Sequence, residues 1–400
     1  MLLFLLLFVY KCSFTQTKFQ KDFVYFWQTI KDNYAYFDKQ QINWDTVKII
    51  YKPLADTCTT RDGLIRVFEL TLNELYNGHS FLNTNLPASN RLVPSGADVK
   101  IIYRNGKFII DEVREGFNSD LCGLKKGMQL TTFNNQPIAQ GVKKYLPKYT
   151  ANYNTGMYQY AANMLLAGTH NTKRKITVLV NGISKDFYPD TVSNKTEAHY
   201  KNVLESKKLE HNIGYIRINN SLGDNNLISE FDSALNKLFN TNGLIVDLRE
   251  TPGGGTSTIA RAIMGRFINK EMPYQKHLYI AEERQTGIKR TALELVSPRN
   301  HVYTKPLVVL VGYWTASMGE GLAIGFDAMK RATIIGTPMA GLLGEIFTFE
   351  TPELNIPFSF PCVQLQTVSG LPREDFIPKI LADDQQQCLR KAISLLMHKQ

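Results

Sequence analysis

An α/β fold with a largely parallel sheet is predicted for the C-terminal half of this 400-residue chain, behind a helical region and a β-rich module. Three observations predict it. From Phe19 to about Leu86, apolar residues recur at spacings of three and four, as in Phe23, Phe26 and Trp27 and again in Leu64, Val67, Phe68 and Leu72. That is the period of helices with one buried face. Between Ala97 and about Pro189 the period shortens to that of strands. From about Asn212 onward, short apolar runs alternate with helical stretches, the pattern of parallel strands joined by crossover helices.

The elements follow in chain order. The run Met1–Tyr10 is strongly apolar but too short to span a bilayer as a mature helix. With the smaller residues Ser13-Phe14-Thr15 behind it, it reads as a signal peptide over residues 1–15, so that the protein is exported to the periplasm, cell envelope or medium and keeps no stable transmembrane segment. An uncleaved anchor or a lipid-modified Cys12 are the competing readings. Cleavage leaves Cys58, Cys122, Cys362 and Cys388, an even number in an oxidising compartment, and both bridges and free thiols fit their scattered spacing. Without a Cys-x-x-Cys pair or a matching histidine cluster, no zinc or redox site is expected. The net charge of +10 is spread along the chain and not gathered into a run, which argues for general surface basicity and against a nucleic-acid partner.

The helical domain, residues 16–92, closes with Leu75-Tyr76-Asn77-Gly78-His79-Ser80, where Asn-Gly marks a turn directly before a histidine. In the β-rich module, residues 97–190, the strand Val99–Tyr103 turns at Asn105-Gly106 into Lys107–Ile110. An insertion rich in Tyr and Asn, Tyr145 to Gly168, precedes the last expected strand, Lys175–Val180. The α/β domain, residues 196–400, contains the strands Gly214–Ile218, Gly243–Arg249 and Leu307–Val311, with helices around Ile228 to Phe239 and Thr256 to Phe267. Sites in such folds gather at the carboxyl ends of the strands. Pro252-Gly253-Gly254-Gly255 and Thr315-Ala316-Ser317 both fall immediately after strands.

A serine hydroxyl becomes a nucleophile only when a base takes its proton and donors stabilise the oxyanion it creates. Ser317, between a buried strand and the helix start Gly319-Glu320-Gly321, is placed for a strand-to-helix turn. The Gly-rich turn offers backbone amides that can approach closely. It lacks the Lys-Ser/Thr of a P-loop and the Gly-x-Gly-x-x-Gly of a dinucleotide fold, so phosphate binding is not favoured. His79 has the proton affinity suited to a base near neutrality.

Three segments carry a resemblance to a known family. Asp247-Leu248-Arg249-Glu250-Thr251-Pro252-Gly253-Gly254 is similar to Asp-Leu-Arg-x-Asn-Pro-Gly-Gly, with Thr251 in place of Asn. Cys122-Gly123-Leu124-Lys125-Lys126-Gly127-Met128, followed by Phe133-Asn134-Asn135-Gln136, looks like the Gly-Leu-x-x-Gly-Asp heart of a PDZ domain, with Met128 in place of Asp. Thr315-Ala316-Ser317-Met318-Gly319-Glu320 carries the serine. Together they resemble the tail-specific, C-terminal processing serine proteases. The stretch Gly336–Glu345, where that branch carries a lysine base, has none, and Lys330 is expected in the preceding helix. The chain is therefore most similar to the tricorn-core-like Ser/His/Glu branch.

The resemblance implies a ClpP/crotonase-like catalytic domain, a PDZ-like module and no cofactor or metal. It implies a serine endopeptidase acting on proteins or peptides, with Ser317 as nucleophile, His79 as base, the amides of Gly254 and Met318 as oxyanion donors, and Glu374 as the residue that orients the site. Ser80 is a candidate auxiliary member. The PDZ-like module implies recognition of a chain terminus by strand addition. Two alternatives stay open: an inactive peptide-binding protein, and a binder of small apolar ligands on the same fold.

Overall fold

In the computed structural model, residues 16–192, 201–382 and 384–398 are described. The apolar run expected as a signal peptide, with Cys12, lies outside them. Three sheets organise the chain.

The C-terminal half is built on a six-stranded sheet in the order Ile380–Leu381, Thr333–Gly336, Leu307–Val311, Gly243–Asp247, Ile213–Ile218 and Leu204–Leu209. All neighbours are parallel except the last pair. Period-two alternation sorts its side chains. Ile216, Leu244, Val246 and Val309 join one core with the helices Asn226–Lys237, Ser257–Met264 and Met318–Ala328, whereas Tyr215, Ile245, Val308 and Leu310 face the helix Gln385–Met397. Both faces are covered, which is why these strands read as continuous apolar runs. Lys330, expected within the serine's helix, falls just past its end in a left-handed conformation.

The N-terminal helices Lys18–Asn33, Trp44–Asp56 and Arg61–Asn73 do not form a core by themselves. Phe23, Phe26, Trp27 and Phe68 pack with Phe358, Phe360 and Leu365 from the strand Pro357–Gln366. That strand pairs on one side with Phe81–Leu82 and on the other with Glu345–Glu350, and its far end pairs with Met272–Leu278. The C-terminal part of the chain thus returns to floor the helical region, and His79, two residues before Phe81, is delivered to the C-terminal half on that ladder.

The β-rich module is a sheet in the order Val99–Arg104, Lys107–Val113, Gln129–Phe133, Ile176–Val180 and Ile183–Phe187. The insertion forms a helix, Thr155–Ala167, laid against the outermost strand. Buried Arg174, bonded to Asp98 at 2.6 Å and Asp190 at 2.8 Å, ties the two ends of the module together. The four described cysteines, Cys58, Cys122, Cys362 and Cys388, are free thiols.

Candidate active site

Ser317 ends the tight turn after Leu307–Val311 and begins the helix Met318–Ala328, with φ 53° and ψ −113°. A residue with a side chain is rarely found there, and holding one costs roughly 1–3 kcal/mol. The strain is held by the surroundings: Ser317 N donates to Glu320 Oε2 at 2.8 Å, and Gly321 N to Ser317 O at 3.1 Å. The Ser-x-x-Glu spacing of a capping box is the sequence signal that marks Glu320.

The histidine lies within reach of the serine. His79 Nε2 is 3.1 Å from Ser317 Oγ, and Nδ1 is 2.7 Å from the carbonyl oxygen of Leu343. A carbonyl only accepts, so Nδ1 carries the proton and Nε2 is left as an acceptor aimed at the serine hydroxyl. The ring is 4% exposed. Burial, reinforced by the Arg373 charge, pushes the imidazole down to about 4, so it is neutral across the physiological range.

The glycine turn lies directly against Ser317. Gly254 has φ 63°, and a Cβ there would stand 2.5 Å from Ser317 Cβ and 3.3 Å from Met318 N. Only glycine fits, and the same closeness brings the Gly254 and Met318 backbones to one side of the serine. Thr251, which replaces the Asn of the motif, is fully buried; its hydroxyl donates to Leu248 O at 2.8 Å and its amide to Trp314 O at 3.1 Å, joining this turn to the serine loop. The charged residues of the motif are scaffolding: Asp247 takes two side-chain bonds from Arg249, at 2.6 and 2.9 Å, and one from Tyr215 OH at 2.7 Å. Glu250 is paired with Arg114 of the β-rich module at 2.8 Å, and Trp314 Nε1 donates to Ala97 O at 2.9 Å, so the module is bolted to both catalytic turns.

Glu374, expected to orient the base, is placed elsewhere in the network. Its Oε1 accepts from Lys39 Nζ at 2.6 Å, and among the described residues it makes no hydrogen bond to His79 or Ser317. The position beside Nδ1 belongs to the Leu343 carbonyl. Ser80, the other candidate, has a buried hydroxyl with no hydrogen-bond partner among the described residues.

Sequence reasoning missed the residues that hold this loop. Arg373 donates to Leu342 O and Gly344 O, both at 3.0 Å, on either side of the carbonyl that His79 uses. Glu320 Oε1 accepts from Gly341 N at 2.9 Å, so one carboxylate links the Ser317 amide to the loop that supports His79. Burial raises Glu320 to about 7, although Arg373 at 3.8 Å works in the opposite direction. A backbone carbonyl has no sequence signature, and Arg373 opens a single 3-10 turn, Arg373–Asp375, too short for periodicity to mark. No group of three or more His, Cys, Asp or Glu side chains suited to a metal ion occurs among the described residues.

Residues 212–354 match the peptidase family S41 model, and residues 15–73 match the tricorn protease C1 domain. A curated relative, the carboxy-terminal processing protease CtpA of Bacillus subtilis (strain 168), is 23% identical over 312 residues, 76% of this chain. The chain spans 60% of the length of that relative. Two solved structures share the fold: mature CPAF complexed with lactacystin (TM-score 0.60, 14% identity, 95% of this chain and 97% of that one) and a photosystem II D1 C-terminal processing protease (TM-score 0.56, 16% identity, 94% and 97%).

Proposed function

We propose that this chain is a member of the tail-specific, C-terminal processing protease family, peptidase family S41, and a serine endopeptidase working through a Ser317–His79 dyad. The observation that carries the proposal is the 3.1 Å approach of His79 Nε2 to Ser317 Oγ with the opposite ring nitrogen anchored on a carbonyl. Ser317 Oγ attacks the scissile carbonyl as its proton passes to Nε2. The oxyanion is held by the amides of Gly254 and Met318. His79 then returns the proton to the leaving amine.

A base whose proton affinity is depressed to about 4 accepts a proton at pH 7 at a cost of about 4 kcal/mol. The oxyanion forming beside it offsets part of this, as does any closure that brings a carboxylate nearer. Glu374 is the carboxylate the resemblance nominates, and in this arrangement it is paired with Lys39 and lies next in sequence to Arg373, which holds the loop supporting His79. The substrates are proteins or peptides. Export, read from the apolar run Met1–Tyr10, and recognition of a chain terminus by the PDZ-like module belong to the same proposal. Among the described residues no helix is long and apolar enough to cross a membrane.

The test is labelling with a fluorophosphonate probe, read by intact mass. Wild type is expected to gain one probe mass, Ser317→Ala none, and His79→Ala to label at a rate lower by about 10² or more. A folded wild-type protein that takes no label would overturn the assignment and leave an inactive peptide binder.

A further inference from the structure

The outer edge of the β-rich module is already occupied. Among the described residues Val99–Arg104 is the end strand of its sheet and pairs through a ladder only with Lys107–Val113. An end strand leaves a row of outward N–H and C=O groups that an extended chain can join. At Ile101, the middle of this edge, both groups are taken by one side chain: Asn163 Oδ1 accepts from Ile101 N at 2.9 Å and Asn163 Nδ2 donates to Ile101 O at 2.8 Å. A carboxamide offers the same donor and acceptor as a peptide unit. These are the two bonds that one residue of an added strand would make.

The arrangement is tight on every side. The remaining amide hydrogen of Asn163 goes to Gln159 O at 2.7 Å, so each of its amide hydrogens has an acceptor and its oxygen has a donor, and the residue is 8% exposed. Its helix, Thr155–Ala167, has no charged residue and presents fully buried Ala161 and Ala162 beside it, which lets the helix approach the strand closely. Two residues further along the strand, the Tyr103 ring stacks on Tyr158 of the same helix, with centroids 4.4 Å apart and planes 27° apart.

We infer that Val99–Arg104 is a strand-addition site for an extended peptide that Asn163 fills from within as a built-in pseudo-ligand. A docking peptide has to displace the carboxamide and draw the helix back from the strand. The module therefore holds no chain terminus in the state described, and the terminus recognition proposed above requires this latch to open. The inference concerns that recognition step and is independent of whether Ser317 is reactive.

The experiment uses the full chain carrying Ser317→Ala, so that the probe is not cut. The probe is a fluorescein-labelled heptapeptide with the sequence of Lys107–Val113, which already pairs with this strand on its other side. Fluorescence anisotropy is expected to give an affinity about tenfold higher for Asn163→Ala than for Asn163, the worth of two displaced hydrogen bonds. Amide exchange at Ile101 should be slow with Asn163, fast in Asn163→Ala, and slow again when the peptide saturates the variant. Equal affinities, or an Ile101 amide that is open in Asn163→Ala yet gains no protection from the peptide, would overturn the inference. Should Asn163→Ala fail to fold, Asn163→Asp serves with the same readouts, since it keeps the acceptor for Ile101 N but sets a second acceptor against Ile101 O.

Discussion

Two carboxylates of the catalytic domain are equally buried, both 0% exposed and both facing an arginine, yet they behave oppositely. Asp247, behind the glycine turn, meets Arg249 at 2.6 Å through a forked pair of bonds. Burial works to raise its carboxyl, and the Arg249 charge overrides it and holds the group below its ordinary value. Glu320, beneath the nucleophile, has Arg373 at 3.8 Å and two backbone amides, and burial wins, raising it to about 7. About one ångström of separation and the loss of the fork turn a fixed ion pair into a group that titrates near neutrality. One region is scaffold and the other is adjustable, and only the adjustable one touches Ser317.

The largest effect expected from that contrast is on folding. Asp247→Ala leaves Arg249 buried without its partner and removes the acceptor of Tyr215 OH, which should cost about 3–5 kcal/mol in urea unfolding. Glu320→Gln loses a weakly held charge, keeps one of its two acceptors and sets its NH2 against the other backbone N–H, so it should cost about 1–3 kcal/mol at pH 7. Equal losses would erase the distinction between scaffold and adjustable pair.

A second effect appears in pH dependence, where Glu320 and His79 oppose each other. Glu320 rises from 4.5 to about 7 on folding, so between those values the folded state binds more protons, and its contribution to stability declines as pH increases. His79 falls from 6.5 to about 4, so between those values the unfolded state binds more protons, and its contribution grows as pH increases. Each spans roughly 3 kcal/mol, and in wild type they largely cancel between pH 4.5 and 6.5. Glu320→Gln should therefore unmask stability that increases with pH over this window, and His79→Ala stability that decreases. Urea titrations at half-unit pH steps would check both, and parallel flat curves for the two variants would refute the opposition.

Much of this architecture was legible, for reasons that differ by element. The catalytic sheet announces itself because both its faces are covered, which forces runs such as Leu307–Val311 to be wholly apolar. Ser317, His79 and the Gly254 turn were legible because each needs a residue type that few others can replace. The flooring of the helical region by Pro357–Gln366 was not, since pairing across almost three hundred residues leaves no local trace. Nor was the support of His79: a Leu343 carbonyl is chemically the same in any sequence, so the eye goes to Glu374, the nearest carboxylate in the motif. Asn163 escaped for a similar reason. An asparagine in an apolar helix reads as tolerated polarity until the strand edge it satisfies is seen.

The smallest expected effect isolates Arg373. Its side chain does two separable things: it donates to Leu342 O and Gly344 O, fixing the carbonyl of Leu343 between them, and its charge depresses His79. Both bonds come from one nitrogen, Nη2, and Arg373→Lys keeps the charge but carries it on a flexible stem that does not fix the two carbonyls as the rigid guanidinium does. Labelling of Ser317 should slow by a few-fold, about the worth of one hydrogen bond, with the titration of His79 near its wild-type position. Arg373→Gln keeps a donor and removes the charge, so His79, followed by imidazole NMR, should titrate above about 4. If both variants leave the His79 titration unmoved, burial alone sets the base, and the adjustable side of the site reduces to Glu320.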